Sequence, residues 1–383
     1  MDYERFLARV AYEVLRVRVS VDLAFKRACR GLCAGGVGER EALYDMARRF
    51  ISDYVKLTCI AGPGARPREL ARLWLSNPDI EVVEPHCRLS ISKWVYDRLS
   101  SLMGEGEAYA MLEAANRRVW WLRVNTLKAS VESVSRSLEG EGVEFEVSPE
   151  YYYMVKIISS PTPVRLLKAV REFKAIPQDI ASAVVVEALN PQPGDSILDA
   201  CAAPGIKTSL IAMLTEGKAR ITAVDISGRR ILVMRKLMRK LGVPDESVET
   251  IVGDSRKFKP KERYAKTLVD APCSNSGAIA KDPGLKITLT EGKVKYYSRL
   301  QKEILANITL YTDKITYATC SLMPEEGEET ALYAREVLNA KIEKPKTALC
   351  SDGYKGYTTS NSMCRLYPHK HESEGFAIVN MTT

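Results

Sequence analysis

The sequence predicts an α/β protein: a Rossmann-like doubly wound sheet, preceded by a small α+β module and an all-helical N-terminal region. Three observations carry the prediction. Short strand-like runs alternate with helical stretches after Gln178, residues 89–174 mix a helix with strict apolar-polar alternation, and residues 1–60 place apolar side chains at helical spacing. The length of 383 residues leaves room for two or three domains of roughly 150 residues each. Apolar residues at 46% and charged residues at 27% exclude long disorder, collagen-like repeats and coiled-coil arrays.

Residues 1–88 form the helical part. Phe6, Val10, Val14 and Leu15, then Leu23, Ala24 and Ala28, recur at spacings of three and four, and Tyr44, Ala47, Phe50, Ile51 and Tyr54 repeat the pattern. Ala61-Gly-Pro-Gly-Ala-Arg-Pro67 breaks the chain with two glycines and two prolines. Residues 89–175 form the α+β module, with a helix around Ile91–Leu102 and strands within Trp120–Leu127 and Val143–Val147. Arg165, Lys168, Arg171 and Lys174 follow at spacings of three. On a helix they make a drifting basic stripe, either a solvated face or a phosphate contact surface.

Residues 176–383 carry the sheet. Its strand-like runs are Ser196–Asp199, Arg220–Asp225, Glu249–Asp254, Thr267–Asp270 and Lys314–Cys320, with helices at Ile206–Leu214, Arg229–Leu241 and Tyr296–Leu310 between them. Right-handed crossovers turn this alternation into a parallel sheet whose ligands bind beyond the carboxyl ends of the strands. Asp199, Asp225, Asp254, Asp270 and Cys320 would gather on that crest. One strand-terminal Asp is an ordinary turn former, but four in succession mark a site. The small residues of Cys201-Ala-Ala-Pro-Gly-Ile-Lys-Thr208 let a ligand approach the backbone just before a helix start. The segment matches neither the dinucleotide nor the P-loop fingerprint. Asp225 can accept from both ribose hydroxyls, so a nucleoside-bearing cofactor fits. Lys207 sits in the first helical turn, where the dipole disfavours a cation; it is either a surface side chain or a functional charge in the cleft.

The net charge of +8 permits a polyanionic partner without specifying one. Nine cysteines without a C-x₂-C pair and three histidines argue against structural zinc, and no metal is expected. The odd count, with no signal peptide and no long apolar run, predicts free thiols in a reducing cytoplasm and no membrane. Cys273, three residues past Asp270, and Cys320 would reach the same crest, which suggests covalent catalysis by a thiolate.

Asp199–Thr208, Asp270-Ala-Pro-Cys-Ser274 and Ala318-Thr-Cys-Ser-Leu-Met-Pro-Glu-Glu326 together resemble the RNA (cytosine-5) methyltransferases of the Sun/Fmu type. Pro177–Ser182, Leu122–Lys128, Arg365–His369 and Gly375–Ile378, the last as a closing strand, extend the likeness over roughly residues 90–383. Less specifically, residues 1–88 resemble the NusB-like RNA-binding domain of the bacterial rRNA small-subunit methyltransferase B branch, chiefly through Glu41–Arg49.

The resemblance implies a class I methyltransferase domain over 176–383, an RNA-recognition module over 89–175 and S-adenosyl-L-methionine as cofactor. Cys201, Ala202, Ala203, Pro204, Gly205, Ile206 and Lys207 would form the cofactor loop, with Asp225 on the ribose, Asp254 near the adenine, Arg230 at a position the family uses at the cofactor, and Asp270 between the methionine part and the base. It makes Cys320 the nucleophile toward cytosine carbon 6, Asp270 and Lys207 the groups that hold the base and its developing charge, and Cys273 the group that assists release. The expected substrate is structured RNA, rRNA before tRNA, and the expected state a monomer. Ile206 stands where the family usually has glycine, and Asn275-Ser276 where it usually has Gly-Thr. Ile206 is the one feature that favours the rival reading, an RNA-binding assembly factor without turnover. Methylation of a protein or small molecule is disfavoured, because Asp270–Cys273 replaces the Asn-Pro-Pro-Tyr element of amide-nitrogen methyltransferases.

Overall fold

A computed structural model describes residues 2–30, 33 and 36–383. The part of the helical reading that falls on residues 31, 32, 34 and 35 lies outside them. Two compact units emerge: residues 1–118 with 275–293, and residues 119–274 with 294–383.

The first unit is helical. Helices Tyr3–Arg16, Val21–Ala28, Val37–Ser52, Tyr54–Ala61 and Pro67–Ser76 bury Phe6, Val10, Val14, Ala24, Ala28, Phe50, Ile51 and Leu57 in one core. The i, i+3/i+4 spacing produces this stripe, but Leu23 departs from it and is 40% exposed. Gly62, at φ +91°, ends one helix after Ala61, and Pro67 opens the next as its first residue. Pro85–Arg88, Lys93–Met103 and Glu105–Ala115 complete the helical series up to residue 118.

The second unit holds two sheets. Strands β1 (Trp120–Val124), β2 (Glu144–Val147), β3 (Met154–Ser159) and β4 (Ala175–Pro177) form an antiparallel sheet in the order β2-β3-β1-β4. The Leu122–Lys128 motif ties it to the second sheet. Asn125 donates to the Leu241 carbonyl at 2.9 Å, and the Lys128 ammonium donates to the carbonyl of Lys240 at 3.2 Å, capping the helix Gly228–Leu241. The expected basic helix over 165–174 does not form as one element. Leu167 is extended (φ −55°, ψ 139°) between a 3₁₀ turn and a four-residue helix, and Phe173 has φ +59°, so the four cations share no continuous face.

The large sheet comprises β5 (Ser196–Asp199), β6 (Arg220–Asp225), β7 (Val248–Val252), β8 (Tyr264–Asp270), β9 (Thr312–Thr319), β10 (Lys341–Glu343), β11 (Cys364–Leu366) and β12 (Phe376–Thr382). Its order is β10-β12-β9-β8-β5-β6-β7, with β11 on β12. β5 to β9 run parallel and β12 runs antiparallel to β9. The chain winds from β5 outward to β7, then crosses back to β8 on the other side of β5, which creates the switch point where such sheets bind ligands. Among the described residues no helix is long and apolar enough to cross a membrane.

Six of the nine cysteines are paired, as Cys29–Cys33, Cys59–Cys87 and Cys350–Cys364. This corrects the expectation of nine free thiols. Parity forbids pairing every cysteine but says nothing about local pairs, and these have Cα separations of 5.0, 6.1 and 5.3 Å, within bridging range. Cys201, Cys273 and Cys320 lie outside the disulfides.

Candidate active site

The carboxyl ends of β6, β5, β8 and β9 bring the expected residues together. Between β5 and the helix Ile206–Leu214, the Ala202 amide bonds the Val224 carbonyl at 2.9 Å and the Gly205 amide bonds the Ala202 carbonyl at 2.8 Å. Gly205 has φ +98°, and a Cβ there would lie 2.7 Å from the Met234 side chain, so only glycine makes this turn. Ile206 is the first residue of the helix, and it is not among the residues of positive φ. The substitution that favoured a non-catalytic reading therefore asks nothing unusual of its backbone. Asn275, where the family usually has glycine, does take positive φ (+60°), which asparagine tolerates.

Asp225 ends β6. One of its oxygens accepts from the Ala203 amide at 3.2 Å and meets Arg230 at 3.1 Å, and the other accepts from the Ser227 amide at 2.9 Å. Arg230 also donates to the Ala203 carbonyl, so the pair braces the loop. Next to Asp225, Ile226 is 67% exposed, and Val252 on the neighbouring β7 is 56% exposed. Two exposed aliphatic side chains therefore stand on either side of Asp225 in chain and register, a feature that periodicity did not reveal. Asp254 lies two residues past β7 in the fork of Arg256, at 3.0 and 2.6 Å. That guanidinium holds its carboxyl below the usual range.

Asp199 is buried and accepts from the Thr208 hydroxyl at 2.7 Å. Burial pushes its pKa up to about 7, against the pull of that hydrogen bond. Burial also pushes the Cys201 thiol up, and the carboxylates of Asp199, Asp270 and Asp225 add to it. Both effects favour the neutral thiol.

Lys207 does not turn to the surface. Its ammonium lies 2.7 Å from Asp270, with its side chain 12% exposed, and 5.3 Å from the centre of the Phe376 ring. Burial favours the neutral amine, yet the Asp270 carboxylate outweighs it and the pKa is raised. Beside this pair, the sulfurs of Cys273 and Cys320 stand 3.3 Å apart. β8 and β9 are in register at Asp270 and Ala318, which brings residues three and two positions further on to one place. Asp270, Lys207, Cys273 and Cys320 thus form one cluster.

The sequence reading assigned no role to the network beneath it. Glu326 is buried and accepts from the Ser274 amide (2.8 Å), the Ser274 hydroxyl (2.5 Å), the Ser321 hydroxyl (2.6 Å) and Gln301 (3.0 Å). Burial raises its pKa although these donors pull it down. Ser274 follows Cys273 and Ser321 follows Cys320, so one carboxylate holds both loops. A second layer supports the first. Arg365 and Glu328, both fully buried, pair at 2.5 and 2.7 Å, and Arg365 donates to the Ser321 carbonyl at 2.9 Å. A Cβ on Gly327 would lie 2.6 Å from this guanidinium. The only signal for these roles was the motif that runs on through Glu326; its partners are too distant in the chain to leave a local pattern.

Comparison with known proteins identifies the relatives of this chain. Residues 186–382 match the family described as 16S rRNA methyltransferase RsmB/F, and residues 91–165 match its ferredoxin-like domain. The ribosomal RNA small subunit methyltransferase B of Photorhabdus laumondii is 30% identical over 67% of this chain and 61% of its own length. A human 28S rRNA (cytosine(4447)-C(5))-methyltransferase is 30% identical over 76% of this chain and 37% of its own length. The chain thus spans less than two thirds of either relative. The crystal structure of PH0851 superposes with a TM-score of 0.81 at 24% identity, covering 100% of this chain and 99% of that one, which shows the same fold throughout. With the matched family covering residues 186–382, where the crest and both thiols lie, the chain belongs to the RsmB/F methyltransferase family.

Proposed function

We propose that the protein transfers a methyl group from S-adenosylmethionine to carbon 5 of a cytosine in structured RNA, with Cys320 as the nucleophile. The observation that carries this reading is the pair of sulfurs 3.3 Å apart beside the Lys207–Asp270 ion pair. The crest suits the cofactor: Asp225 for the ribose hydroxyls, Ile226 and Val252 for the adenine face, and the Gly205 turn for close backbone approach. Arg230 and Asp254 lie at its edge. S-adenosylmethionine, when bound, supplies an electrophilic methyl group. rRNA is the favoured substrate, because both relatives named above are rRNA methyltransferases. The helical unit and the small sheet would present a base that is already unpaired or has been turned out of its helix. A reducing cytoplasm, which would also open the three disulfides, suits a thiolate mechanism.

Cytosine carbon 5 is too weak a nucleophile to take a methyl group unaided. Addition of the Cys320 thiolate at carbon 6 pushes an electron pair toward the ring nitrogen and makes carbon 5 enamine-like. Asp270, taking a proton from the Lys207 ammonium across their ion pair, would donate to that nitrogen and offset the charge developing there, a contact strongest in the transition state. After transfer, carbon 5 loses its proton and the bond from carbon 6 to sulfur breaks, with Cys273 assisting both. Incubation with radiolabelled S-adenosylmethionine and rRNA should label the RNA. Cys320→Ala should abolish labelling and form no adduct, whereas Cys273→Ala should accumulate a protein–RNA adduct on denaturing gels. The reverse pattern would exchange the two roles, and labelling that persists without Cys320 would sink the mechanism.

A further inference from the structure

Outside the crest, one group of side chains has donor chemistry that the methyltransferase reading does not use. Cys59 lies on the helix Tyr54–Ala61, and His86 and Cys87 lie on the short helix Pro85–Arg88, all within the helical unit. Among the described residues, they are the one set of three such donors whose ligand atoms all lie within 4.8 Å of one another. His86 Nε2 lies 3.3 Å from Cys87 Sγ and 3.9 Å from Cys59 Sγ; Nδ1 lies farther from Cys87 Sγ, at 4.0 Å, and 3.6 Å from the Glu84 carboxylate, which itself stands 3.8 Å from Cys87 Sγ. The ring is tucked in, with its side chain 15% exposed.

Tetrahedral zinc, with bonds of ~2.3 Å to sulfur and ~2.0 Å to nitrogen, sets neighbouring sulfur and nitrogen ligands roughly 3.5 Å apart. The two separations from Nε2 bracket that value. A carboxylate on the far ring nitrogen is the usual partner of a metal-bound histidine, since it fixes the tautomer and orients the ring. A disulfide alone has no use for an imidazole beside both its sulfurs.

We propose that reduction of the Cys59–Cys87 disulfide opens a zinc site formed by Cys59, Cys87 and His86 Nε2, with Glu84 orienting His86 and water in the fourth position. A dithiol reductant supplies two electrons and two protons, cleaves the sulfur–sulfur bond and leaves as its own disulfide. Zinc then displaces the two thiol protons to solvent and binds two thiolates and a neutral imidazole. Two soft sulfurs and an imidazole select zinc over magnesium or calcium. Oxidation by a disulfide reverses the sequence and releases the metal. The same pair of helices is therefore clipped in either state, by a covalent bond or by a cation.

The test uses the full chain, oxidised or reduced with a dithiol, loaded with zinc, desalted without oxygen and assayed by atomic emission. Reduced protein should retain a single equivalent more than oxidised protein. That increment should vanish in His86→Ala and Cys59→Ser and persist in Cys29→Ser, with circular dichroism confirming that each variant keeps its helices. Cobalt(II) in place of zinc should give a thiolate-to-metal charge-transfer band that is lost in the same two variants. No increment on reduction, an increment that survives His86→Ala and Cys59→Ser, or one that disappears in Cys29→Ser would each overturn the proposal.

Discussion

Four cysteine pairs among the described residues stand close enough to react, and three of them are bonded. Cys59 and Cys87 join two helices through a disulfide. Cys273 and Cys320 hold their sulfurs at 3.3 Å and lie outside any disulfide. What differs is the backbone support. At the crest, Glu326 accepts from residues adjoining both cysteines, and Arg365 grips the carbonyl of Ser321. Closing the gap to the ~2.05 Å of a sulfur–sulfur bond would pull those loops off buried partners, at about 1–3 kcal/mol for each group left unsatisfied. Proximity alone does not make a disulfide. A rigid polar foundation can keep two neighbouring thiols separate, as the proposed mechanism requires.

The comparison breaks most readily at the lower layer. Glu328→Ala leaves the fully buried Arg365 without its counter-charge, and removing one partner of a buried ion pair costs about 3–5 kcal/mol. Urea denaturation should report a loss of that size, while peptide mapping should still find Cys59 joined to Cys87. Full stability in this variant would mean that the pair is not the foundation described.

Glu326→Ala acts one layer higher. The loops lose their shared acceptor, and misplacing a reacting group by about 1 Å costs roughly 10²-fold in rate. The expected result is a fall of that order in kcat, with KM for the cofactor unchanged. Under air, non-reducing mapping should also find Cys273 and Cys320 oxidised to each other faster than in the parent protein. Glu326→Gln, which retains an acceptor oxygen, should recover part of both properties. Unaltered kcat and oxidation in Glu326→Ala would show that something else separates the thiols.

The smallest effect is expected at Ile226, away from both thiols. Ile226→Asp puts a charge on the proposed apolar seat and should weaken S-adenosylmethionine about tenfold, or about 1.4 kcal/mol, by calorimetric titration. The thiol chemistry should be untouched once cofactor is saturating.

The crest was legible because its residues come in short contiguous motifs at strand ends, where a Rossmann-like alternation places them without knowledge of side-chain packing. Asp199, Lys207, Asp225, Asp270, Cys273 and Cys320 belong to this group. Glu326 and Arg365 also fall within motifs of the resemblance, but nothing local marks what they do. Their partners lie up to 52 residues away in the chain, and a long-range polar pair leaves no periodic trace. The disulfides escaped for a related reason: counting thiols cannot say which helices face one another. The basic stripe at 165–174 shows the opposite error, since a spacing of three has meaning only on a continuous helix, and Leu167 interrupts it.

The position of β12 imposes an order on biosynthesis. β9, which leads to Cys320, pairs with β12 through residues 377–382, and the Phe376 ring packs over Lys207. Until that strand docks, β9 has an open edge and the loop that carries Cys320 lacks one wall. Lys207, Asp270, Cys273 and Cys320 all precede it in the chain, so the cluster is aligned only by a strand made after all four of its members.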